Sequence, residues 1–220
     1  MDIAAFYNNV YQAFQATTTI EWIGFATALT YSILAAYEKP LCWLFALISS
    51  FLYLYICVEA SLYLQSTLQV FYLVMAGYGW WSWRKQNENV NENEKEGESE
   101  SERKGGEESG VVDWSGRELI LYTMSGFVVA LITGFLFANY TETHLPWLDA
   151  TITVFSFLAT WMMTRKILQN WLFWIIIDAA TVLLYAKQGL ALSALLYIIY
   201  TLIASFGYLQ WRKNSLFASR

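Results

Sequence analysis

One histidine, two cysteines and a charged fraction of only 14% set the first limits on this 220-residue chain. A lone His144, in a loop, leaves no second imidazole for a His cluster around a metal. Cys42 and Cys57 sit in or beside one apolar run, where they read as buried small hydrophobes and not as a disulfide or a metal pair. None of the thirteen Lys and Arg residues lies well inside a long apolar run. The last run has no lysine, which excludes a retinal Schiff base there. An intramembrane protease needs paired aspartates, a metal-binding His cluster or a Ser–His pair at depth. Only Asp178 is deep. The chain therefore reads as a non-enzyme without a cofactor. The N-terminus also lacks a basic region followed by a short apolar core and a small-residue cleavage site, so the first span is expected to act as its own insertion signal.

What is abundant is apolar surface, at 57% hydrophobic and 18% aromatic residues, more than a soluble core of this length could hide. Seven runs stand out, at 18–37, 41–58, 62–83, 119–140, 145–163, 171–186 and 190–211. Most reach the roughly 20 residues that a helix needs to cross a bilayer. The sixth is short and carries Asp178. Twelve of the thirteen basic residues fall on one side of the resulting threading and only Lys187 on the other, which predicts an outer N-terminus, an inner C-terminus and seven crossings. Phe6, Val10, Tyr11 and Phe14 recur at helical spacing, so residues 3–15 read as a short interfacial helix or as a loose tail. Residues 86–117 differ in kind. They hold ten acidic and four basic residues, and they are expected to form an acidic, disordered inner linker.

Residues 23–85 align without a gap on 151–213 at a constant offset of 128. Trp43-Leu44-Phe45 falls on Trp171-Leu172-Phe173, Tyr72, Ala76 and Gly79 on Tyr200, Ala204 and Gly207, and Trp83-Arg84-Lys85 on Trp211-Arg212-Lys213. The domains that follow are an outer segment at 1–17, a first three-helix repeat at 18–85, the linker at 86–117, a linking helix at 118–144, a second repeat at 145–213 and an inner tail at 214–220. The expected fold is all-α, with seven transmembrane helices in a three-plus-one-plus-three order. Because four spans separate the starts of the copies, both enter the membrane with the same polarity, and the pseudo-two-fold axis runs along the membrane normal. SWEET sugar carriers share that parallel-repeat plan, with the solute site near the midplane between halves.

Polar and aromatic side chains sort onto helix faces. Asn170, Trp174 and Asp178 are spaced four apart on the sixth span and continue to Thr181 and Tyr185. Gln69, Tyr72, Ala76, Gly79, Trp80 and Trp83 follow the same period on the third, and Tyr197, Tyr200, Ala204, Gly207 and Trp211 on the seventh. An ionised carboxylate in mid-span costs about 2.5–3.5 kcal/mol, so Asp178 should face the interior, either as a ligand group or in a structural hydrogen bond. The small residues read as ordinary close packing. Trp83, Trp211 and Trp147 sit near span ends as interface anchors would, whereas Trp174 lies beside the carboxylate. With no buried cation, the pathway does not suit phosphate or carboxylate solutes. A carboxylate among Trp and Tyr faces suits a flat organic cation, or a neutral hydroxylated solute.

The run Leu62-Tyr63-Leu64-Gln65-Ser66-Thr67-Leu68-Gln69-Val70-Phe71-Tyr72, leading into Tyr78-Gly79-Trp80-Trp81-Ser82-Trp83, resembles the third helix of the PnuC vitamin transporters. Asn170-Trp171-Leu172-Phe173-Trp174-Ile175-Ile176-Ile177-Asp178 is similar to that family's sixth helix, and Gly207-Tyr208-Leu209-Gln210-Trp211 to the end of its seventh. The resemblance implies facilitated diffusion of nicotinamide riboside across the bacterial inner membrane. Phosphorylation by a cytoplasmic kinase would trap the solute for NAD synthesis. Carried over, Gln69, Tyr72, Asn170, Trp174, Asp178, Tyr197 and Tyr200 would line the central site, with Trp80 and Trp83 as an inner aromatic gate. The implied partners are the small solute, membrane lipids and that kinase, with no nucleic acid, and homo-oligomerisation is left open. Thiamine carriers share the fold, and thiamine is also a flat cation. The riboside is preferred because Asn170, Gln69 and the tyrosines supply partners for ribose hydroxyls. A SWEET-like sugar carrier is the remaining alternative. The acidic linker has no counterpart in the family pattern.

Overall fold

A hydroxyl three residues ahead of a glutamate starts two of the helices. The Thr18 hydroxyl accepts from the Glu21 N–H at 3.3 Å while the Glu21 carboxylate accepts from the Thr18 N–H at 2.6 Å. Ser115 and Glu118 form the same reciprocal box, which satisfies N–H groups that the first helical turn leaves without partners. In the computed structural model, which describes residues 3–59, 63–96, 110–141, 145–187 and 191–218, eight helices form. They are α1 (Ile3–Ala16), α2 (Thr19–Ala36), α3 (Cys42–Glu59), α4 (Tyr63–Glu96), α5 (Gly116–Tyr140), α6 (Pro146–Thr164), α7 (Asn170–Lys187) and α8 (Ala191–Ala218). Residues 97–109 of the linker, His144, Leu62 and Leu190 lie outside the described residues.

Four of the eight, α2, α3, α5 and most of α8, are long and apolar enough to cross a membrane, and the apolar part of α7 is shorter. The outward surface agrees with a bilayer as solvent. On α5 alone Ile120, Leu121, Met124, Phe127, Val128, Leu131, Ile132 and Phe135 are exposed, a display that water would not tolerate. Six helices close a ring through the neighbour pairs α2·α3, α3·α4, α4·α6, α6·α7, α7·α8 and α8·α2. Helix α5 packs outside the ring on α6, and α1 lies against α8.

The 128-residue offset reappears in three dimensions. Lys39 N–H donates to Leu34 C=O and Glu38 N–H to Ala35 C=O at the end of α2; at the end of α6 Ile167 N–H donates to Met162 C=O and Lys166 N–H to Met163 C=O. Each turn is a Schellman motif. The residue at its left-handed position is Glu38 (φ 55°) in one copy and Lys166 (φ 53°) in the other. Glycine ordinarily occupies that position, and a side chain there costs on the order of 1–2 kcal/mol. Both copies also tuck a tryptophan over a glycine. A Cβ on Gly79 would lie 2.4 Å from the Trp43 ring, and one on Gly207 would lie 2.7 Å from the Trp171 ring. These glycines make room for indoles rather than for neighbouring backbones.

Both ends of the acidic linker are ordered, contrary to the expectation from composition. Helix α4 continues through Asn87 to Glu96. At the far end Val112 forms a β-bridge with Ile167, its N–H donating to Lys166 C=O and its C=O accepting from Leu168 N–H, both at 2.9 Å. The buried Gln169 amide accepts from Trp114 N–H and donates to Trp114 C=O and the Asp113 carboxylate. Val111 and Trp114 pack against the buried clusters, while Val112, whose side chain is exposed, contributes its backbone bonds. Gln169→Ala should cost about 2 kcal/mol and expose 110–115 to limited proteolysis. Cleavage no faster than in wild type would show that the amide does not hold this strap.

Candidate functional site

A cavity of about 230 Å³ lies inside the ring. Helix periodicity delivers its walls. On α7, Trp174 and Asp178 stand one turn apart and both face it; on α4 Gln69 and Tyr72 do, and on α8 Tyr197 and Tyr200. Six of the seven residues expected at a central site therefore share one cavity. Asn170 does not. It is fully buried at the start of α7, where its Nδ2 donates to Ile167 C=O at 2.6 Å and its Oδ1 has no partner among the described residues. Trp80 packs half-buried against the aromatic core. Trp83 is completely buried, with its indole N–H donating to Met163 C=O at 3.1 Å.

The remaining wall comes from the first repeat. Tyr31 and Ser32 on α2, and Ala46, Ser49, Ser50 and Tyr53 on α3, face the same space. The offset predicts several of them, since Ser50 is the counterpart of Asp178, Ala46 of Trp174 and Ser32 of Thr160. Reading the repeat across from Asp178 would have found them. The cavity thus has pseudo-symmetric walls with an asymmetric lining. The α7 side presents a carboxylate and an indole, and the α3 side presents a methyl, hydroxyls and open volume.

Below the cavity the indoles form a stack. Trp43 and Trp171 line it, each meeting the next tryptophan edge-on, Trp83 at 5.5 Å and 87°, Trp211 at 5.4 Å and 88°; Trp83 and Trp211 meet each other at 6.0 Å. Trp211 N–H donates to Ala35 C=O at 3.1 Å, the counterpart of the Trp83 bond. No residue of this layer is more than 3% exposed, so the cavity is sealed on that side.

Asp178 is 5% exposed, and among the described residues it makes no ion pair and no Lys or Arg lines the cavity. The same residues hold no group of His, Cys, Asp and Glu suited to a metal ion. A lone carboxylate beside an indole face, rimmed by five hydroxyl-bearing tyrosines, can neutralise and stack a planar cation and hydrogen-bond its substituents.

Known proteins resemble this chain in sequence and in fold. The chain is 30% identical over 212 residues to the nicotinamide riboside transporter PnuC of Escherichia coli (strain K12), covering 87% of this chain and 84% of that one. A 66-residue stretch, 30% of this chain and 31% of the other, is 32% identical to the riboflavin/roseoflavin transporter RibM of Streptomyces davaonensis. The crystal structure of the vitamin B3 transporter PnuC superimposes with a TM-score of 0.71 at 21% identity, covering 98% of this chain and 90% of that one, which establishes a shared fold. A family profile described as nicotinamide mononucleotide transporter matches residues 18–213. The chain is a membrane protein that belongs to the nicotinamide mononucleotide transporter family.

Proposed function

We propose that this protein imports nicotinamide riboside by facilitated diffusion across a bacterial inner membrane, where cytoplasmic phosphorylation traps the solute for NAD synthesis. One observation carries the choice of solute: Asp178 and Trp174 face a cavity that no Lys or Arg lines among the described residues. A mononucleotide would leave its phosphate facing a carboxylate with no cation to replace its water. The riboside presents a pyridinium for Trp174 and Asp178, and ribose hydroxyls for Gln69, Tyr72, Tyr197, Tyr200 and the α3 serines. At about 230 Å³ the cavity falls just below the roughly 300–1,000 Å³ usual for ligand pockets, which favours a solute no larger than one nucleoside. In this reading seven helices, α2 to α8, span the bilayer in a three-plus-one-plus-three order. The N-terminus faces out, and the Trp83–Trp211 layer lies on the cytoplasmic side.

The test is tryptophan fluorescence quenching of purified protein by nicotinamide riboside, its mononucleotide and thiamine in parallel. Saturable quenching by the riboside but not the mononucleotide supports the reading. Trp174→Ala should weaken it roughly 30-fold, the worth of a desolvated cation–π contact of about 2 kcal/mol. Saturation by thiamine alone, or by the mononucleotide, overturns it.

A further inference from the structure

At the sealed end, equivalent positions of the two repeats carry opposite charges and meet. Glu38 closes α2 and Lys166 closes α6, 128 residues apart, and their carboxylate and ammonium groups lie 3.4 Å apart with side chains only 11% and 4% exposed. Both backbones are left-handed. Residues kept where glycine would be unstrained indicate that the side chains have work to do. Each is tied to the opposite repeat a second time: Asn214 of α8 donates to Glu38 at 2.7 Å, and Lys166 donates to Asn87 of α4 at 3.2 Å. With the Trp83 and Trp211 indole bonds to Met163 and Ala35 and the Ser82 hydroxyl bond to Thr164 C=O, six hydrogen bonds among the described residues join the helices and turns of one repeat to those of the other at this end. The Lys166 ammonium also lies over the Trp83 ring at 5.2 Å.

We infer that Glu38 and Lys166 form an inter-repeat latch that holds this end of the pathway closed and parts when the halves rock to release solute. The inference rests on the transport reading above. Its physical core is the hydration of ions. A buried ion pair is a poor stabiliser, because the desolvation cost of two charges offsets most of their attraction. That same property suits a latch. When the end opens, water rehydrates both ions and compensates much of what their separation loses, so closed and open states stay close in free energy. An apolar pair of equal volume would gain nothing from water and would favour the closed state. Glu38 and Lys166 are therefore positioning residues for the conformational step, outside the solute cavity, and they add an ion pair and Trp211 to the gate that Trp80 and Trp83 alone suggested.

The pseudo-two-fold relation gives a sharp test. Exchanging the charges in Glu38→Lys/Lys166→Glu places each side chain on the backbone its partner had, and the flanking Asn87 and Asn214 amides can donate or accept. Native Cys42, fully buried just beyond the α2 turn, serves as reporter through its labelling rate with N-ethylmaleimide in a Cys57→Ser background. Lys166→Met, which strands Glu38, should raise that rate on the order of tenfold. The exchanged pair should return both labelling and uptake close to wild type. The apolar pair Glu38→Leu/Lys166→Leu should bind riboside as wild type does, label more slowly and transport more slowly. Labelling unchanged by Lys166→Met, or an exchanged pair that folds yet labels and transports like the single variant, would overturn the latch. Labelling needs no solute, so a protein that fails to bind riboside while its labelling follows these changes would sink the substrate reading and leave the latch standing.

Discussion

Asp178→Asn is expected to weaken binding of nicotinamide riboside on the order of 10- to 100-fold while leaving the protein at least as resistant to heat as wild type. The two halves of that expectation come from one feature. Asp178 is buried, lines the cavity and has no cationic partner among the described residues, so its charge burdens the empty protein. Asparagine keeps the shape and removes the burden. A bound pyridinium, by contrast, loses a charge-assisted contact of about 1.5–3 kcal/mol. The reduced, uncharged form of the riboside supplies the control, since it should bind both proteins about equally. Titration and a thermal melt on the same samples decide the matter. A variant that binds the cation normally but melts early would assign Asp178 a structural hydrogen bond instead.

The second large effect is expected at the two glycines beneath the cavity. A methyl at Gly79 would sit 2.4 Å from the Trp43 ring and one at Gly207 2.7 Å from Trp171, so each ring must retreat by about an ångström or more. Neither has room. Trp43 is backed by Trp83 and flanked by Tyr31 at 5.8 Å, and Trp171 is backed by Trp211. Gly79→Ala and Gly207→Ala should each destabilise by about 1–3 kcal/mol, the usual range for overpacking, and push an indole toward the solute. The cost should be similar at the two sites because the layer is pseudo-symmetric. Trp43→Phe should relieve Gly79→Ala but not Gly207→Ala. Full stability and wild-type quenching in both alanine variants would show that the tryptophan layer is looser than its geometry implies.

Much of this site was legible in the chain because a membrane helix exposes its pattern. Asp178 and Trp174 announce themselves at a spacing of four in an otherwise apolar run, and the tyrosines of α4 and α8 follow the same period. Asn170 carried the same periodicity, yet it falls at the first turn of α7, where the Ile167 carbonyl accepts both its backbone N–H and its side-chain amide. Helix-face arguments hold within a helix and weaken at its ends, where unsatisfied backbone groups compete for polar side chains. The α3 wall was hidden for a different reason. Serine and alanine give no hydropathy signal, and only superposing one repeat on the other identifies Ser50 and Ala46 as the partners of Asp178 and Trp174. The linker misled because average composition obscured Val111, Val112 and Trp114, whose partners at 166–169 are distant in sequence.

The contacts α2·α8 and α4·α6 are one interface made twice, the arrangement expected of a symmetric dimer whose two chains became fused. In the proposed seven-span threading, helix α5, which packs outside the ring on α6, would be the tether that lets the second copy enter with the polarity of the first. Divergence has since made the halves non-interchangeable. Two first-half copies would bring Glu38 against Glu38 and face Ser50 with Ser50, losing both the ion pair and the cavity carboxylate, whereas one of each half restores both. Cut within the acidic stretch, the gene should therefore encode two fragments that recognise each other in preference to themselves, a heterodimer whose pairing code is written at residues 38 and 166.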